Sequence, residues 1–388
     1  MTGDDAFAEG TTMLEQGRHA IALEHFSAAA GSSEDAELRL AAMAHAATLN
    51  LTLGRPHEAL VWIELLREEA PTTDQADLLA AQAETRLGNG EEALALLERV
   101  RSPDTAHFSY EPSFVPLLRC EALASAGRVD EAVSSTLTQI AGDPASPGLW
   151  RLLARLLDGE DGATVDISAA VDGLPEASLS SATAGLVDAP IGGAQRVVDA
   201  LWRRWPGDRR LLALLATIGH RLPVPSALEW SGRMRGAGHG EHCPLLGLAA
   251  SPDRHPRERV RAAAAAGRTF SDERAAGLLE LATTAVVDDE LAEAFEEVLA
   301  LAPDLAESFV VAAAQTPRRA LLVAGALDAS GNVEPAVALA RHAVELTTGQ
   351  PDEWRAAVAA AFDDVEPFAA KAQAVGADEL AAALRKAG

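Results

Sequence analysis

The sequence predicts an all-α chain built of repeated helix pairs, and three observations carry that prediction. Its hydrophobic fraction of 48% comes with only 4% aromatic residues and a preponderance of alanine, which suits close helix contacts better than a sheet core. A segment of glycine, a short polar step, then alanine and an aliphatic residue recurs along the first third. No strand-rich region with alternating periodicity emerges. At 388 residues the chain exceeds the size at which one core keeps growing, so two domains or one elongated solenoid is expected.

The recurring segment reads Gly17-Arg18-His19-Ala20-Ile21-Ala22-Leu23, Gly54-Arg55-Pro56-His57-Glu58-Ala59-Leu60, Gly88-Asn89-Gly90-Glu91-Glu92-Ala93-Leu94 and Gly127-Arg128-Val129-Asp130-Glu131-Ala132-Val133. The anchor glycines stand 37, 34 and 39 residues apart. Behind each, small and apolar residues fall at i, i+4 and i+7: Ala22, Phe26 and Ala29, then Ala59, Ile63 and Leu66, then Ala93, Leu97 and Val100. The small residue lets helices approach and the larger ones fill the groove between them. In the fourth unit Ala132 is followed by Thr136 and Gln139, which predicts a helix that packs less fully. Pro71 and Pro144 mark unit ends, since proline cannot continue a helix.

First helices precede the glycines. Ala6 and Gly10 belong to the first, Met43 and Ala47 to the second, and Trp150 with Leu153 and Ala154 opens a fifth unit. The run Asp158-Gly159-Glu160-Asp161-Gly162 ends the regular array near residue 160. A period near 34 residues with glycine at the turn between two helices resembles a tetratricopeptide (TPR) array. The resemblance implies an all-α, TPR-like α-solenoid of stacked antiparallel helix pairs, irregular in its second half. The family's usual tyrosines are missing, since Tyr110 stands alone, so no TPR subfamily is indicated.

Three sections are expected: a TPR-like array over 1–160, an irregular, Arg-rich helical connection over 161–250, and a C-terminal helical-repeat section over 251–388. Residues 163–190 turn to Gly, Ser, Ala and Asp, a loop composition. Helical spacing returns with Ala194, Val198 and Leu201 before Pro206, then Leu212, Leu215 and Ala216, until proline and glycine break the chain between Pro223 and Pro256. Arg257-Glu258-Arg259-Val260-Arg261 with five alanines, then Ser271-Asp272 and Leu278-Leu279, is weakly similar to a HEAT-type helix pair. Gly331-Asn332-Val333-Glu334-Pro335-Ala336-Val337 repeats the TPR turn.

A formal charge of −26 repels polyanions, which counts against general binding to nucleic acid or an anionic membrane. The charge is uneven. Thirteen arginines face six acids between Arg196 and Arg268, whereas the stretch between Arg274 and Arg318 holds nine acids and no Lys or Arg. With Lys371 and Lys386 the only lysines, nearly every cation is a guanidinium able to grip a carboxylate or phosphate with two hydrogen bonds. Arg203, Arg204, Arg209 and Arg210 are the candidate anion-binding set. Asp288, Asp289, Glu290, Glu293, Glu296 and Glu297 read first as a solvated helix face, and otherwise as a surface for a basic partner or for the Arg-rich middle of a second copy.

Two cysteines, Cys120 and Cys243, make no disulfide framework and point to a reducing compartment. The acidic start MTGDDAFAEG lacks the features of a signal peptide, and no run of 18 apolar residues occurs, so a cytoplasmic location without membrane insertion is expected.

Gly236 to Cys243 is the one cluster with site chemistry. His239, Glu241, His242 and Cys243 are metal-ligand types and Cys243 beside a histidine is a nucleophile type. Four near-adjacent residues on one element cannot all converge on one ion, so a solvated Gly-rich loop is the favoured reading and no catalytic residue, metal or cofactor is assigned. No P-loop ending, His-Glu-x-x-His, nucleophile elbow or kinase set is present. Trp62, Trp150, Trp202, Trp205, Trp230 and Trp354 lie in helical stretches and read as core.

The TPR resemblance implies a concave groove lined by first helices that binds an extended peptide or a helix of a protein partner. Projected onto this chain, the lining is Thr11, Glu15, Thr48, Thr52, Gln82, Arg86, Glu121, Arg151 and Arg155. Arg86, Arg151 and Arg155 would hold acidic side chains or a terminal carboxylate. The Lys and Asn of the chaperone-binding carboxylate clamp are not matched. The expected function is a non-enzymatic interaction scaffold or adaptor. The alternatives are an accessory subunit of an enzyme complex that reads an anionic ligand through the Arg-rich middle, and an α-helical enzyme centred on His239 to Cys243.

Overall fold

A computed structural model describes residues 2–71, 73–102, 104, 109–158, 165–239, 243–270 and 273–388, with the backbone alone at 269, 270 and 273. Among the described residues there are 24 α-helices and no strand. The chain divides into two compact units, Met1–Trp205 and Pro206–Gly388. The composition shift near 160 falls inside the first, and the one near 250 inside the second. No helix among the described residues is long and apolar enough to cross a membrane.

The first unit begins with four TPR-like helix pairs: α1 (Gly3–Glu15) and α2 (His19–Ser32), α3 (Ala36–Thr52) and α4 (Pro56–Glu69), α5 (Asp74–Leu87) and α6 (Gly90–Leu97), α7 (Phe114–Ser125) and α8 (Val129–Gly142). Gly17, Gly54, Gly88 and Gly127 sit between the members of each pair at φ of 71°, 74°, 87° and 75°, the left-handed region that a side chain disfavours. The residue after each glycine donates its amide back to a carbonyl five residues earlier: Arg18 to Met13, Arg55 to Asn50, Asn89 to Glu84 and Arg128 to Leu123. This bond satisfies a carbonyl that the helix end would leave open, so one local motif turns the chain identically four times.

The second helices bury the small-and-apolar rows read from the sequence. Ala22, Phe26, Ala29, Ala59, Ile63, Leu66, Ala93 and Leu97 are all buried. Val100 lies past the end of α6 and is half-buried. In the fourth of these helices the buried row differs from the expected one. Thr136 is fully buried, its hydroxyl donating to the Ala132 carbonyl at 2.7 Å, and the next core residue is Ile140 rather than Gln139.

The array continues past α8. α9 (Pro147–Leu157) buries Trp150, Leu153 and Ala154 and packs against α11 (Ser178–Leu186) and α12 (Ile191–Arg204), with the short α10 (Ser168–Asp172) beside α12. The Gly159–Gly162 run lies outside the described residues. Asp158 accepts from the Gly193 amide at 3.0 Å, and a Cβ added to Gly193 would stand 1.7 Å from the Ala154 carbonyl oxygen. Backbone lies on backbone there, a contact that only glycine permits.

The second unit runs through α13 (Arg209–Ile218), α14 (Val224–Gly236), α15 (Pro244–Ala250), α16 (Pro256–Phe270), α17 (Glu273–Ala285), α18 (Leu291–Leu301), α19 (Ala306–Ala313), α20 (Pro317–Ala329), α21 (Val333–Leu346), α22 (Pro351–Ala361), α23 (Glu366–Ala374) and α24 (Asp378–Ala387). Successive even-numbered helices from α14 to α24 neighbour one another in one layer, and α13, α15, α17 and α19 do so in the other. The five alanines 262–266 of α16 are all buried, which lets α15, α17 and α18 approach it. Ser271-Asp272 of the HEAT-like match lies outside the described residues. The TPR turn recurs between α20 and α21, with Gly331 at φ 83° and the Asn332 amide on the Leu327 carbonyl.

Candidate partner-binding face

Residues four apart share one side of a helix. Counting back six and two residues from each turn glycine therefore selects one face of the first helices. The six-back positions are Thr11, Thr48, Gln82 and Glu121, and the two-back positions are Glu15, Thr52, Arg86 and Ser125. Thr11, Thr48 and Thr52 donate to the carbonyls of Phe7, Ala44 and Thr48 at 3.1, 2.8 and 2.9 Å, so their hydroxyls keep acceptor capacity while their protons are engaged. Gln82 is half-buried with its amide uncommitted among the described residues.

The two-back positions of the third and fourth units serve the fold. Arg86 donates to the Leu51 carbonyl and Ser125 donates to the Thr85 carbonyl at 3.2 Å. Both acceptors stand three residues before the turn glycine of the preceding unit and already take that glycine's amide, at 3.0 Å for Leu51 and 3.3 Å for Thr85, so each side chain adds a second donor there. Each side chain therefore ties its own helix to the end of the preceding first helix. Arg196 does the same for Leu157 at 3.0 Å. In the second unit Arg254 reaches His220 and Leu222, and Arg319 reaches Thr283 and Thr284.

The clamp of three arginines expected on this face is therefore not assembled. Arg86 is spent on a backbone carbonyl. Arg155 is paired at 2.5 Å with Glu121, another residue expected to meet a partner. Arg151 is exposed on α9 and has no partner among the described residues. Replacing Arg86 by methionine is expected to lower the first unit's stability by about 1 kcal/mol, because it removes a hydrogen bond from a charged donor at a partly exposed site. Urea denaturation checks this, and an unchanged midpoint would show that the cap contributes nothing.

Sequence reading missed an aromatic group at the start of this face. Phe26 is fully buried, stacks on His45 at 4.5 Å and meets Phe7 edge-on at 5.3 Å. Phe7 and His45 are half-buried on α1 and α3. Their positions carry no repeat signal, since neither falls on the small-residue rows.

The four candidate anion-binding arginines are divided between the units. Arg203 donates to the Ser168 hydroxyl at 3.0 Å in a cleft of about 220 Å³ that also holds Asp166, Arg196 and Asp199. The Ser168 amide and hydroxyl, with Arg203 beyond them, hold the Asp166 carboxyl below its ordinary value. Arg204 lies over the Trp205 ring at 5.5 Å. Arg210 grips Asp208 through two nitrogens at 3.0 and 2.8 Å, which pulls that carboxyl down. Arg209 is exposed. Of the four, Arg210 alone is paired with a carboxylate among the described residues.

Gly240, Glu241 and His242 of the His239–Cys243 cluster lie outside the described residues. Around them, Gly238 at φ 85° and the His239 amide on the Met234 carbonyl end α14 with the same turn seen in the repeats. Cys243 is buried with its sulfur 3.2 Å from the Ser231 hydroxyl. Among the described residues no three His, Cys, Asp or Glu side chains gather as a metal-ligand set.

No family model matches the chain, and no curated protein matches its sequence. Among solved structures it is similar to one titled as the APC/C hetero-tetramer Cut9-Hcn1, at 14% identity and a TM-score of 0.37, covering 100% of this chain and 86% of that one. It is also similar to yeast Tom70, at 13% identity and a TM-score of 0.25, covering 99% and 88%. Superpositions this loose carry no functional argument, and the TPR-like assignment rests on the four recurring glycine turns and the helix pairs they join.

Proposed function

We propose that the protein is a non-enzymatic interaction scaffold that takes a segment of a partner protein on the first-helix face of its first unit. The observation that supports this reading is the recurrence of polar groups six and two residues before the turn glycines, of which the Thr48 and Thr52 hydroxyls and the Gln82 amide remain available, with the Arg151 guanidinium exposed on α9. Side chains at a fixed repeat suit an extended segment or one face of a helix, whose own groups recur at a fixed rise. Arg151 supplies a two-pronged contact for an acidic side chain or a terminal carboxylate. An anionic ligand held by Arg203, Arg204, Arg209 and Arg210 is the weaker reading, because Arg210 is already gripped by Asp208 and Arg203 by the Ser168 hydroxyl.

The test leaves the structural Arg86 and Arg155 untouched. Wild type and a Thr48→Arg/Gln82→Arg/Arg151→Glu variant are used as bait in native extract, bound proteins are identified by mass spectrometry, and the recovered partner is titrated against both. Affinity is expected to fall at least about tenfold with the melting temperature unchanged. A partner that binds the variant as tightly as wild type would sink this placement.

A further inference from the structure

The second unit carries an exposed apolar pair that its own core does not use. Leu281 on α17 is 57% exposed and Val311 on α19 is 60% exposed, and the two helices neighbour one another. Their register follows from Gly267 of α16, where an added Cβ would lie 2.4 Å from Leu305 Cδ1 and 3.6 Å from Ala275 Cβ. Leu305 and Ala275 therefore stand at one height. Six residues further along each chain segment come Val311 and Leu281, at a comparable height on neighbouring helices. Gly277, one turn before Leu281, has no atom within 4 Å of an added Cβ, so the surface beside the pair is open.

Charge says what kind of partner fits. Residues 275–317 contain no Lys or Arg. Some of the acids there are answered within the chain: Asp288 by Arg318, Glu293 by Arg257, and Glu297 by Arg257 and Arg261. Glu280, Asp304 and Glu307 are exposed and have no cationic partner among the described residues. Glu280 adjoins Leu281 in the chain, and Glu307 lies one helical turn before Val311. Exposed apolar side chains with unanswered carboxylates near them, on two neighbouring helices, match a helix with an apolar stripe and basic flanks.

We propose that the α17–α19 surface docks a cationic amphipathic helix of a partner protein, with apolar side chains on Leu281 and Val311 and Lys or Arg toward Glu280, Asp304 and Glu307. The apolar contact is small, so the association is transient, and its rate falls as salt screens the charges.

The probe is a fluorescein-labelled leucine–lysine peptide with leucines at helical spacing, compared with an isomer of the same composition in which the leucines are scattered. Wild type is expected to bind the patterned peptide more tightly than the isomer. Leu281→Ser/Val311→Ser should weaken that binding about tenfold. Val61→Ser/Leu65→Ser, which removes the exposed apolar pair of α4 at 61% and 39% exposure, should leave it unchanged. All three proteins are checked for equal melting temperatures. If the isomer binds equally well, if both double variants lose affinity alike, or if neither does, the peptide is reading bulk negative charge and the proposal is overturned.

Discussion

Trp150→Ala is expected to lower the stability of the first unit by about 4 kcal/mol, in the range found when a large buried aromatic is truncated. The indole is fully buried and its Nε1 donates to the Pro144 carbonyl at 3.4 Å. Its Cβ lies 2.9 Å from where a Gly185 side chain would begin, so α11 closes directly over it. α9 touches α7, α8, α11 and α12, which makes it the joint between the regular pairs and the helices that follow. In a stack of repeats each unit is stabilised chiefly by its neighbours. The loss should therefore appear in native-state hydrogen exchange as faster opening of α10 to α12, while α1 to α4 keep their protection. Uniform loss of protection would show instead that the first unit opens as one cooperative body.

The turns and the second helices were legible because a left-handed turn selects glycine and a close helix contact selects a small residue, both visible in residue identity. Where α6 ends was not. Asp74 accepts from the amides of Arg101 and Ser102, each at 2.6 Å, which draws the chain out of helical path soon after Leu97 and leaves Val100 beyond the helix. Those two amides also hold the Asp74 carboxyl below its ordinary value. Thr136 misled for a related reason: a threonine reads as polar, yet bonded to its own helix it is a core residue. Arg86 looked free on the candidate face because its acceptor is a main-chain carbonyl, and a carbonyl leaves no trace in the sequence. Gln82 and Arg151 were legible as polar positions on one helix face, but their availability depends on which neighbouring acids and carbonyls are already engaged.

The contrast between the Arg-rich middle and the acidic stretch was visible in composition and suggested contact between two copies. Much of that complementarity is met inside one chain. Arg257 of α16 holds Glu293 at 2.5 Å and Glu297 at 2.7 Å, and Arg261 reaches Glu297 at 3.0 Å. The Glu297 side chain is only 16% exposed, whereas that of Glu293 is 62% exposed. Glu297→Gln is accordingly expected to cost about 2 kcal/mol, less than a fully buried pair because both guanidiniums still reach water. Glu293→Gln should cost no more than about 0.5 kcal/mol, as exposed pairs do. In about 1 M salt, where charges are screened beyond roughly 3 Å, the Glu297 penalty should contract toward its hydrogen-bonding part. Equal penalties for the two variants in urea denaturation would mean that burial does not strengthen this pair. The seam between α16 and α18 would then be held by its alanines and leucines, with the charges setting only which partners the surface admits.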